Sequence, residues 1–99
     1  MPDDRRAWDA EILGPGWRVA LDAESRLRDV QALSRRVALK ARDDGADIVI
    51  LLVAGTRHNR HVVRLAAPDL AGMFPVPGRS VLAALEAGTR PEGSGIVLI

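Results

Sequence analysis

Residues 47–54 read Asp-Ile-Val-Ile-Leu-Leu-Val-Ala, a run with almost no polar interruption. β-Branched side chains crowd helical rotamers and fit a pleated strand. A strand with one solvated face alternates apolar and polar residues. This one does not alternate, so both of its faces are to be covered. Strands of that kind belong to parallel or mixed sheets with helices around them. The run is far shorter than the roughly 20 apolar residues that cross a bilayer.

The rest of the chain reads as partners for that strand. A strand is expected over 6–13, a turn at Gly14-Pro15-Gly16, and a second strand over 17–23. Trp17, Val19 and Leu21 share one face of the second strand, and Arg18, Ala20 and Asp22 the other. A helix is expected over 27–44, capped by Ser25 or Asp29 and ended by Gly45. Val30, Leu33, Val37 and Ala41 form its apolar stripe, with Arg28, Arg35, Arg36, Lys40 and Arg42 on its other sides. After the buried strand, Thr56 opens a helix over 57–67, followed by a turn over 69–74. Ser80 is expected to cap a helix that runs to Ala87, and residues 96–99 form a last short strand. The order is β-β-α-β-α-α-β, a small mixed sheet flanked by helices in one α/β domain over 1–99, with residues 1–5 frayed.

Composition narrows the chemistry. A net charge of +1 is too small to demand a strongly acidic partner, yet the basic residues cluster at Arg26–Arg42 and Arg57–Arg64. The chain has no cysteine, which excludes disulfides and thiolate metal sites and fits a cytoplasmic location. Its start, Met-Pro-Asp-Asp-Arg-Arg, lacks the apolar stretch of a signal peptide. Aromatics are limited to Trp8, Trp17 and Phe74, too few for a base-stacking platform.

Two constellations carry chemistry. Asp22 and Glu24 lie two apart on a strand, so they share a face that Asp9 on the neighbouring strand can join. Carboxylates gathered this way can hold Mg²⁺, which polarises phosphate and activates water. Gln31 and Arg35, one turn apart, and then Lys40 follow on the helix. The alternative is a solvated strand end whose acids pair with nearby arginines. The second constellation is Thr56-Arg57-His58-Asn59-Arg60-His61, just beyond the buried strand. Ligands of α/β sheets gather at that end of the strands, and a helix N-terminus favours anions. With Arg35 and Arg36, residues Arg57, His58 and Arg60 are candidate contacts to a nucleic-acid backbone.

Ala7-Trp8-Asp9-Ala10, Gly14-Pro15-Gly16-Trp17-Arg18-Val19, the segment from Glu24 to Leu33 and Thr56-Arg57-His58-Asn59-Arg60 carry a resemblance. Together they resemble the C-terminal domain of some actinobacterial helix-turn-helix regulators of the XRE type. That pattern is in turn similar to the PD-(D/E)XK, restriction-endonuclease-like superfamily. The resemblance implies a DNA-associated, non-catalytic regulatory or interaction domain, acting through a homodimer, a partner protein or nucleic acid. Read as a nuclease instead, it implies Asp9, Asp22 and Glu24 as Mg²⁺ ligands, with Gln31 orienting water. Glu24 stands where those nucleases carry a lysine, which leaves Lys40 or an arginine to supply that charge. A stand-alone antitoxin-like partner is the third class. No cofactor is implied outside the nuclease reading, and no membrane association.

Overall fold

The protein is described from a computed structural model, and the described residues are 8–99. The elements are β1 (Ala10–Gly14), β2 (Trp17–Glu24), α1 (Val30–Asp44), β3 (Val49–Val53), α2 (Arg57–Leu70), α3 (Gly78–Glu86) and β4 (Gly95–Leu98). Their order is the expected β-β-α-β-α-α-β. The strands form one four-stranded sheet in the order β1-β2-β3-β4. β1 runs antiparallel to β2, while β2, β3 and β4 are mutually parallel, so the sheet is mixed.

β3 is central and buried on both faces, as its sequence demands. Val49, Leu51 and Val53 pack with Leu33 and Val37 of α1 and Leu70 of α2. Ile48 and Ile50 join Val19 and Leu21 of β2, Val97 of β4 and Val81 of α3 on the opposite side. Thus α1 and α2 cover one face and α3 the other. Side chains that alternate along β3 seal two half-cores at once.

Local chemistry sets the boundaries. Residues 14–17 close the β1–β2 hairpin around Pro15-Gly16, with Gly14 opposite Trp17. α1 starts later than expected, because Asp29 is extended (φ −108°) and its side chain accepts from the Ala32 N–H. Asp29, not Ser25, is therefore the cap. At the other end Gly45 adopts φ 68°, a left-handed conformation that favours glycine, and its N–H returns to the Ala41 carbonyl. α2 opens on Thr56, whose hydroxyl accepts from Asn59 N–H. It runs past Pro68 to Leu70 rather than stopping at residue 67, because buried Leu70 anchors the last turn in the core. α3 begins at Gly78 behind Pro77, so Ser80 lies inside its first turn and does not cap it. A Cβ at Gly78 would overlap the Ile96 carbonyl oxygen, so glycine there lets α3 press against β4.

β1 begins at Ala10 among the described residues and β4 one residue earlier than expected. The fraying expected of residues 1–5, and the strand positions Arg6 and Ala7, lie outside the described residues. No helix among the described residues is long and apolar enough to cross a membrane.

Candidate functional site

The strand alternation that buries Ala20 against α1 turns Asp22 and Glu24 to the same side. Asp22 is only 5% exposed. Its Oδ2 lies 2.6 Å from the Lys40 ammonium, and its Oδ1 accepts from the Asp9 backbone N–H at 3.2 Å. Asp9 reciprocates, its Oδ2 accepting from the Ala23 N–H at 2.8 Å. Glu24 pairs with Arg36 at 2.7 Å. The Lys40 ammonium also sits 5.2 Å from the centroid of the Trp8 ring, within cation–π range.

Asp9, Asp22 and Lys40 therefore meet where β1, β2 and α1 converge, while Glu24, on the same face of β2, is engaged separately by Arg36. Gln31 and Arg35 are exposed on α1. Lys40 is a correction. Its charge suggests a solvent-facing position, but it lies on the stripe of Leu33 and Val37 and is as buried as they are. Its carboxylate partner explains this, since a buried ammonium needs a counter-charge.

Mg²⁺ prefers oxygen ligands and retains several waters. Both Asp22 oxygens already have donors, one of them a cation, and its low exposure leaves little room for a metal's water shell. Among the described residues no three His, Cys, Asp or Glu side chains are grouped to hold one metal ion. As placed, the donor set fits an interlocked ion pair better than a shared metal.

A second network ties the far end of α1 to the hairpin. Arg18 bridges Glu11 at 2.8 Å and Asp44 at 2.7 Å, and the Trp8 indole N–H donates to Asp44. The Arg18 guanidinium, and after it the Trp8 N–H, hold the Asp44 carboxyl below its ordinary value. A lowered folded-state value means this stabilisation is present above the unfolded carboxylate value, and is lost as pH falls through the folded one. Arg18→Gln is expected to move the Asp44 titration back upward, as followed by NMR. The loss should also flatten the acid limb of the stability–pH profile.

The C-terminal edge of the parallel strands is organised by Asn59, which is completely buried. Its Oδ1 accepts from Leu27 N–H, and its amide donates to the carbonyls of Ser25 and Ala54, each at 2.9 Å. One side chain thus joins the β2–α1 segment, the end of β3 and the start of α2. His58 Nε2 lies 2.8 Å from the Leu27 carbonyl oxygen, a second link across the same gap.

Outside this clamp, Gly55, Arg57, His58, Arg60, His61 and Arg64 line an open concave surface, with no acidic residue among them. The structure thus groups the expected Arg57, His58 and Arg60, and adds His61 and Arg64. Recurrence at 57, 60, 61 and 64 is helical spacing, the signal that links them in the sequence. Arg36 faces Glu24 instead, and Arg35 lies on α1 rather than on this surface. Asn59 gives no comparable signal, because its role depends on two distant backbone segments.

No protein-family model, curated protein or solved structure matches this chain.

Proposed function

We propose that the chain is a non-catalytic interaction domain that contacts the phosphate backbone of nucleic acid through α2, in the manner of a regulator's C-terminal domain. One contrast carries this reading. Around α1, Arg26 and Arg28 form no ion pair among the described residues but line a concavity with Glu24 and Asp29, and Arg35 stands exposed on the helix. Lys40, Arg36 and Arg18 are spent inside the molecule, on Asp22, on Glu24, and on Glu11 and Asp44. The basic side chains of α2 are not, since Arg57, Arg60 and Arg64 form no ion pair with a carboxylate among the described residues. Unspent charge on one surface, in a chain of net charge +1, is an electrostatic footprint for a polyanion. With no aromatic residue lining that surface, contact goes to phosphates rather than to stacked bases.

Binding of this kind weakens with salt, with a log–log slope of about 0.9 per neutralised phosphate on duplex DNA. Replacing Arg57, Arg60 and Arg64 together by alanine is expected to lower the slope by roughly 2.7. Fluorescence anisotropy with a labelled duplex measures it. An unchanged affinity and slope in the triple variant would remove α2 as the contact.

The Mg²⁺-dependent nuclease is the second reading, favoured by the convergence of Asp9, Asp22 and Lys40. Against it stands the prior engagement of their oxygens. Cleavage of supercoiled plasmid with Mg²⁺ or Mn²⁺ that is abolished by Asp9→Ala would establish it in place of the first.

A further inference from the structure

We propose that phosphate binding on α2 is coupled to proton uptake by His58 and His61, so that the surface tightens on nucleic acid as pH falls. This rests on the reading of α2 as a nucleic-acid surface and concerns its regulation. Both imidazoles line the same concavity as Arg57, Arg60 and Arg64. Imidazole is the side chain whose charge ordinarily changes between about pH 5 and 8. A carbonyl oxygen can only accept, so the His58 Nε2 beside the Leu27 carbonyl carries the hydrogen. His58 Nδ1 is then the atom that gains a proton, and gaining it leaves the bond to Leu27 intact. His61 is exposed three residues further along the helix.

The groups around the two imidazoles come from three elements. α2 itself contributes Arg57, Arg60, Arg64 and its own positive N-terminal end. The β2–α1 segment touches His58 through the Leu27 carbonyl, and its Arg26, Arg28 and Asp29 line a separate concavity with Glu24 and Arg36. Asp29 is engaged by the Ala32 N–H, and Glu24 by Arg36. From the end of β4, an Ile99 oxygen accepts from Gly55 N–H at 2.6 Å. The acidic side chains named here already have partners, so a phosphate entering the concavity is the group free to stabilise imidazolium beside it. Protonation takes the charge of the lining side chains from that of three arginines to that of three arginines and two imidazoliums.

The test is binding of the full chain to a duplex of about 20 base pairs, across a salt series at about pH 5.5 and about pH 8. Lower pH should tighten binding on the order of tenfold and steepen the salt slope by up to roughly 1.8, about 0.9 per histidine. His58→Gln/His61→Gln should lose the difference between the two pH values, whatever its affinity at the higher one. His61→Gln alone, at an exposed position, should lose about half of the change in slope. Binding with one slope at both pH values, or a pH effect that survives in the double variant, overturns the coupling and leaves the proposed function standing. No binding at either pH in low salt overturns both.

Discussion

Replacing Lys40 by methionine is expected to destabilise the fold by about 3–5 kcal/mol, a large fraction of the stability of a domain this size. Methionine keeps an unbranched, flexible stem over Trp8 but removes the ammonium. The Asp22 carboxylate, 5% exposed, is then left with the Asp9 N–H as its remaining donor. An uncompensated buried charge is the costly outcome. Neutralising both partners is not, because a buried ion pair barely offsets its own desolvation. Asp22→Asn in the Lys40→Met background should therefore recover most of the loss. Urea unfolding would read this as a shift in midpoint at unchanged slope. A loss under about 1 kcal/mol for the single variant would mean that the pair is screened like a surface bridge.

Lys40 also shows where the sequence stops being legible. Residues 33 and 40 are seven apart and nearly eclipse on a helix, so Lys40 lies on the Leu33 side of the stripe and Ala41 on the Val30 side. A rule that sorts by polarity moves the stripe to Ala41. Only the facing carboxylate decides between them, and that comes from a strand 18 residues earlier. Signals that are complete within a few residues fare better. The unbroken β3 run, the Pro15-Gly16 turn and the Gly45 cap each carry their cause in the local sequence. Pro68 and Ser80 mislead because tertiary contacts override them: Leu70 extends α2 into the core, and the Gly78–Ile96 approach starts α3 early. The candidate site divides the same way. The basic clusters are plain in the sequence, but not which of them is neutralised. That depends on Glu24 reaching Arg36 and Asp22 reaching Lys40 across the β2–α1 interface.

The second large effect is expected at Asn59. Alanine there strips the partner from Leu27 N–H and from the carbonyls of Ser25 and Ala54. Each buried backbone group left unsatisfied costs about 1–3 kcal/mol, so a total of about 3 kcal/mol or more is expected. Asn59→Asp should be worse, although it is isosteric. One carboxylate oxygen could still accept from Leu27 N–H, but the other would face two carbonyl oxygens as a buried charge. The order wild type, alanine, aspartate is thus set by hydrogen-bond polarity and not by volume. Chemical unfolding gives the energies, and hydrogen exchange at the Leu27 amide locates the loss. If Asn59→Ala leaves that amide protected and the midpoint unmoved, water has replaced the side chain and the clamp is not rigid. The clamp also bears on the basic surface, since it fixes the start of α2 against the β2–α1 segment. Loosening it leaves Arg57, Arg60 and Arg64 in place but makes binding pay for their ordering. Duplex affinity should therefore fall in Asn59→Ala while the salt slope, which counts cations, stays that of the wild type.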